Sequence, residues 1–599
     1  MSLLAGILGA FTVAVSPPTL TYTLHLDPAQ LDVAHVEIQV RDAPATFHLA
    51  MRVHAEYDAR YWRYIDSLGV QDGTHDAAAT VTREDSTLWR VTLPGGSGVV
   101  RYRVHIQPAR TGRRAWLPYT RFDGALINSS DFFLYVPELP RAQAAVDLDI
   151  PRDWRVATAL AARGSPTRRS APDAVTLLDS PILLGLFKHW SFSEGGTRYH
   201  VVYWPLPAPD ATPFDTAAFV DELHRLTRAA LAIFGRAPAG PDYYFLIQDG
   251  ASDALEHAAS LTMGVTSATL ARDPRASLTE IAHEFFHTWN LVAIHPAGYN
   301  ALSYRAPART PGLWVGEGIT MYYADALPRR VGLTDSTHTR LDHLADLLQR
   351  YYGSPAIMRV PPERASLAFG DSPVTNPDAT GGYYLQGELL GSVLDALVRD
   401  STHDRRGLDD VMRALFERSL VRGDSGFTSY DVASLTDSVC ACRMTGFFAT
   451  QVREAGPIDV VPVLHRLGLR LILDSVPAVD SSGLPLPDLR LGIDFTAPAG
   501  VVRVVVSHAA TPWATAGIRT GDEVLALSGA PVRSAEDLRA TLRSLRVGDH
   551  VTVEFRRGSQ PMSVIVLLTG YVRPRVRFVD PTTVTEQQRA RRQAWTAGR

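Results

Sequence analysis

The sequence predicts a multidomain protein built from a β-sandwich-like domain, a mostly helical α+β domain and a smaller β domain with one helix. Three observations predict it. The chain has 599 residues, and single hydrophobic cores stop growing at roughly 250–300 residues. Hydrophobic residues alternate with polar ones up to about residue 195, recur at helical spacing after that, and alternate again from about residue 488. Hydrophobic residues make up 46% and charged residues 20%, the balance of a folded globular chain.

Taken in order, Leu3 to Val15 is a 13-residue run without charge. It is too short to span a membrane and fits the core of a signal peptide over residues 1–16, so export to the periplasm or outside is expected, with a cytoplasmic location as the alternative. Residues 17–195 read as the β domain. Tyr22, Leu24 and Leu26 alternate with Thr23 and His25; Val36, Ile38 and Val40 alternate with Glu37 and Gln39; Val100, Tyr102, Val104 and Ile106 alternate with Arg101, Arg103 and His105. The segment Pro205-Leu206-Pro207-Ala208-Pro209 marks a junction. From 196 to 470 the pattern gives a helix at 215–234, a strand at 243–248, and helices at about 278–292, 314–330, 336–351, 382–399 and 407–418. From 488 to 570 it returns to β, with a helix at 534–545.

A net charge of −4 gives no reason to expect nucleic acid or an anionic membrane as partner, and no other segment approaches membrane-spanning length. The two cysteines, Cys440 and Cys442, stand too close for an easy disulfide and read as small buried apolar residues.

The residues that carry chemistry lie in the helical part. His283-Glu284-Phe285-Phe286-His287 is an H-E-x-x-H pattern. Histidines four residues apart share a helical face, so both imidazoles reach one metal ion. The glutamate between them is suited to take a proton from water there. So short a pattern also arises by chance, and context narrows the reading. Ser277-Leu278-Thr279-Glu280 spells a capping box, which predicts a helix from about Leu278. Phe285, Phe286 and Trp289 predict that this helix is buried, and buried histidines need partners. Thirty residues after His287, Glu317 stands near the start of the next predicted helix. With it the set becomes His₂Glu, three protein ligands that leave a position for water on a catalytic zinc.

At this point a resemblance emerges. "HEFFHTWN" followed by "LWVGEGITMYYAD" resembles the glycyl aminopeptidase family of gluzincin metallopeptidases, over roughly residues 20–595. The resemblance implies a thermolysin-like catalytic domain at 196–470 and a C-terminal PDZ domain at 488–570. Asp253-Ala254-Leu255-Glu256-His257 is similar to the family's "GGLEH", which implies that Glu256 binds the substrate's free amino group. Gly382-Tyr383-Tyr384-Leu385-Gln386-Gly387 is similar to "YYxKG", which implies that Tyr384 donates a hydrogen bond to the oxyanion. Ala516 to Leu525 resembles the "AGLxxGDxI" core of PDZ domains, and Leu491-Gly492-Ile493 looks like the loop that caps a peptide's C-terminal carboxylate. The tail, 571–599, carries seven Arg against two acids; its likeness to the family's tail implies docking on the body. The chain departs from the family at Asp253 and Ala254, where glycines are usual, and at Gln386, where lysine is usual.

The resemblance therefore implies one Zn²⁺ per chain, peptide substrates with a free N-terminus and small first residues, Gly or Ala. Two other readings stand beside it: a zinc endopeptidase whose PDZ domain recruits substrate, and a PDZ-based binding protein with a weak or idle zinc site.

Overall fold

The computed structural model describes residues 18–53, 61–72, 79–107, 113–238, 240–299, 302–306, 309–334, 338–376, 378, 381–498 and 500–599. The expected signal peptide falls outside them. The first domain is built from a seven-stranded sheet with strands in the order 161–163, 165–171, 144–149, 19–26, 33–41, 98–105 and 65–72, joined by three- and four-stranded sheets. Tyr22 pairs across the sheet with Ile38, and Val36 with Tyr102. The residues expected inward by alternation, Tyr22, Leu24, Val36, Ile38, Val100 and Val104 among them, are buried in one core.

The catalytic sheet has five strands: β1 (Lys188–Glu194), β2 (Thr197–Trp204), β3 (Asp242–Asp249), β4 (Ala254–His257) and β5 (Ser260–Val265), in the spatial order β1-β2-β3-β5-β4. One expectation is corrected here. Strand β1 pairs along its whole length with β2, so this layer begins before residue 196. Glu256 lies on β4, an edge strand. Leu126, Leu183 and Phe187 of the first domain pack on Val202, Trp204 and Leu246, which joins the two domains through an apolar layer.

Helices cover the other face: α1 (Thr216–Phe234), α2 (Leu278–His287), α3 (the π-type turn Trp314–Ile319 continued by Thr320–Arg330) and α4 (Gly382–Ser401), with further helices at Arg340–Tyr352 and Leu408–Arg422. Helix α2 starts where expected, but Ser277 has a helical ψ and its hydroxyl caps nothing; its carbonyl instead accepts from Ile281 N–H. It also ends at His287 rather than near 292. Phe285, Phe286 and Trp289 are fully enclosed by aromatic neighbours, including Phe234 stacked on Trp289 at 5.0 Å. The cysteine expectation is overturned as well. Cys440 and Cys442 form a disulfide, because Ala441 takes a left-handed conformation (φ 51°) that turns the chain back and sets the two Cα atoms 5.1 Å apart.

The strands Arg470–Pro477 and Val572–Val579 pair antiparallel and carry the PDZ domain between them. The basic tail then lies on the catalytic domain, with its charges engaged: Arg577 pairs with Asp474 at 2.7 Å and Arg591 with Asp404 at 2.8 Å. Helix Glu586–Thr596 ends on Trp595, whose ring lies under the guanidinium of buried Arg340 at 4.3 Å and whose carbonyl accepts from that side chain at 3.0 Å. Trp595→Ala removes a buried aromatic, which typically costs about 3–5 kcal/mol. The expected outcome in scanning calorimetry is a fall of about 5–10 °C in the catalytic-domain transition; an unchanged midpoint would show that the tail adds nothing to that domain.

Candidate metal centre and active site

Each functional side chain is delivered by a different local device. Helix α2 sets His283 and His287 one turn apart, with their Nε2 atoms 3.0 Å from each other. The carbonyl of Asn290, just past the helix end, accepts a hydrogen bond from His287 Nδ1–H at 2.8 Å. That bond turns the Nε2 lone pair toward the cleft. The same Asn290 donates its side-chain N–H to the carbonyls of Val315 and Gly316 at 2.8 and 3.2 Å. It thereby ties α2 to the π-type turn that carries Glu317. Glu317 Oε2 lies 3.4 Å from His283 Nε2 and 3.3 Å from His287 Nε2.

This trio is chemically incomplete as neutral and anionic groups. Two imidazole nitrogens face each other with room for one proton, and Glu317 Oε2 is buried without a hydrogen bond among the described residues. Burial raises the Glu317 carboxyl, but His287 and His283 outweigh it and hold the group well below its usual range. Burial lowers His287, but Glu317, Glu256 and Glu284 pull it well above its usual range. The cluster is organised for positive charge, and its donor set of two imidazoles and a carboxylate fits zinc.

Glu256, Glu284 and His287 form a second cluster, with one oxygen or nitrogen of each within 4.8 Å of the others. Burial pushes the Glu256 carboxyl up, with His287 pulling against it. Tyr384 enters from α4, its ring stacked on His283 at 6.3 Å. The approach of α4 depends on two glycines. A Cβ on Gly387 would stand 2.1 Å from the carbonyl oxygen of Trp314, and one on Gly318 would stand 2.4 Å from the Cα of Gly387.

His283, His287, Glu317, Glu284, Glu256 and Tyr384 thus line one cleft of about 310 Å³. The loop Leu491-Gly492-Ile493 does not join them. It borders a separate cavity between the PDZ domain and residues 353–357. The cleft also contains two residues that sequence reasoning missed, Arg114 and Trp116 of the first domain. The segment 113–115 bonds along Ser252, and Trp116 packs on Leu255. Their sequence carries no signal for this, because the contact joins positions more than a hundred residues apart. The departures from the family also acquire a place. Asp253 has φ 58°, a conformation that glycine adopts without cost, and its carboxylate pairs with Arg114 at 3.5 Å. Gln386 faces away from the cleft and donates to the carbonyls of Ile357 and Val360 at 3.1 and 2.8 Å.

Comparison with known proteins identifies the domains of the chain. The sequence matches the M61 peptidase N-terminal domain over residues 21–186, the M61 glycyl aminopeptidase domain over 276–390 and a PDZ domain over 490–568. The chain thus carries an M61 peptidase N-terminal domain and an M61 glycyl aminopeptidase domain. It is therefore a metallopeptidase, and His283, His287 and Glu317 form a group of the kind that can hold a metal ion. Among solved structures, an aminopeptidase N family protein from Idiomarina loihiensis overlays with a TM-score of 0.75 at 18% identity, covering 96% of this chain and 100% of that one. That likeness extends the fold over nearly the whole M61 chain. An M1 zinc metallopeptidase from Deinococcus radiodurans, at 15% identity, covers 75% of this chain and 95% of its own with a TM-score of 0.45, too loose an overlay to argue from. No curated protein matches the sequence.

Replacing Glu317 by Ala removes the carboxylate that lies against both imidazoles. The expected outcome is loss of bound metal together with activity, read by metal analysis of the purified variant. Metal retained at the wild-type level would put the third ligand elsewhere.

Proposed function

We propose that this protein is a zinc-dependent aminopeptidase that removes N-terminal residues, small ones such as Gly or Ala, from peptides with a free amino group. The observation that carries this reading is the position of Glu256, an acid beside the His₂Glu cluster with one end of its strand shut. Beyond Glu256, His257 is buried and its Nδ1 approaches Asp179 at 3.3 Å, while the other Asp179 oxygen accepts from Ala258 N–H at 2.8 Å. Arg52 stands 3.7 Å from the same carboxylate. These contacts brace the end of the strand beyond Glu256, which supports a peptide whose ammonium meets Glu256 and whose first peptide bond is presented to the metal side of the cleft.

Zinc held by His283, His287 and Glu317 would supply Lewis acidity to the scissile carbonyl and to the attacking water. Glu284, buried beside the histidines, takes that water's proton and passes it to the leaving amine. Tyr384 donates its phenolic hydrogen to the oxygen of the tetrahedral oxyanion. Glu256 holds the substrate ammonium by a charge-assisted hydrogen bond in a partly dry site.

Glu284→Gln keeps the shape of the site and removes its base. It is expected to retain metal and to lose about 10²–10⁴ in turnover; activity near wild type would remove Glu284 from the mechanism. Glu256→Ala is expected to lower kcat/KM for free-amine substrates by roughly ten- to a hundredfold at unchanged metal content. N-acetylated substrates, poor for the wild type, should lose little more. Equal losses on both kinds of substrate would make Glu256 structural and turn the reading toward an endopeptidase.

A further inference from the structure

We propose that Arg114 selects substrates by the carboxylate of the leaving group, so that this enzyme favours di- and tripeptides whose released portion ends in a free C-terminus. The inference rests on the aminopeptidase reading, which fixes the substrate's amino end at Glu256.

Direction comes first. Strand β4 pairs with β5 on one side and has no neighbouring strand on the other among the described residues. An extended peptide lying on that free edge with its ammonium at Glu256 can continue only toward Asp253, because His257, Asp179 and Arg52 close the opposite end. Asp253 and Arg114 stand at the open end, with side chains 54% and 56% exposed. Asp253 is three residues before Glu256, about 10 Å along a strand. Two or three extended residues span about 7–11 Å, so the C-terminus of a short peptide arrives at the Asp253–Arg114 pair.

The chemistry there suits a carboxylate. Arg114 Nε approaches an Asp253 carboxylate oxygen at 3.5 Å. Among the described residues no hydrogen bond occupies its terminal nitrogens, and these form the planar fork that grips a carboxylate in two places. The guanidinium lies over the Trp116 ring at 5.3 Å from its centre, and Trp116 is itself 6% exposed, which gives the charge a fixed base. The pair with Asp253 is long, half-exposed and therefore weak, so it yields readily to a bidentate ligand. The surroundings sharpen the requirement. Glu280, at the start of α2, is held above its usual range by burial and by Asp253. The mouth thus carries two acids and one cation, and a negatively charged C-terminus is admitted there only through Arg114.

The test compares Gly-Ala with Gly-Ala amide in the full-length, metal-loaded enzyme. Wild type is expected to favour the acid in kcat/KM. Arg114→Ala should cut the acid-to-amide ratio by roughly tenfold, and Arg114→Lys should keep part of it. A wild type that favours the amide, or a ratio unchanged in both variants, would overturn the proposal. The acetylated pair is measured in parallel. If acetyl-Gly-Ala is cleaved as fast as Gly-Ala, the aminopeptidase reading falls, and the acid-to-amide ratio of the acetylated pair then tests Arg114 by the same criterion.

Discussion

Buried ionisable groups are stable only when something answers their charge. In this protein His283, His287 and Glu317 are driven together inside an aromatic core, and Glu256 and Glu284 add two more acids within a few ångströms. Among the described residues, His283 Nδ1 and Glu317 Oε2 are buried without a hydrogen bond. The three carboxylates pull His287 well above its ordinary range against the effect of burial, while burial and His287 hold His283 below its own. The surrounding architecture serves this convergence. The aromatic packing of α2 holds the histidines rigid, and the Asn290 side chain locks α2 to the turn bearing Glu317.

How much of this was legible depended on how local the cause was. The histidine spacing and the placement of Glu317 are helix-period facts, and both can be read along a few residues. The inward faces of the first domain follow from alternation in the same way. What escaped was long-range or sterically subtle. Helix α2 stops short of 292 because the chain turns at Leu291, φ 119°, whose N–H is donated to the Ile294 carbonyl. Glu317 sits in a π-type turn, which sequence period does not distinguish from an ordinary helix. The Cys440–Cys442 pairing hinges on one left-handed alanine. Strand β1 belongs to the catalytic sheet because β2 is available beside it, and alternation alone assigns it equally well to the first domain.

The contribution of the first domain to the cleft is the largest such omission. Residue types such as arginine and tryptophan are unremarked in a β domain, and only the fold brings 113–116 beside 252–256. Through Asp179 that domain also braces the far end of β4. Two of the cleft's walls thus come from outside the segment that binds metal. Substrate recognition and metal binding are consequently carried by separate stretches of chain, able to change independently.

The Gly318–Gly387 contact has a different consequence. Side chains between two helices act as springs: they change rotamer, and the helices shift by tenths of an ångström in response. Where backbone touches backbone there is no such compliance. The separation of α3 and α4 at this point is set by van der Waals radii alone, and Glu317 and Tyr384 each lie within three residues of it. The spacing between the Glu317 carboxylate and the Tyr384 phenol is therefore held by a hard backbone contact.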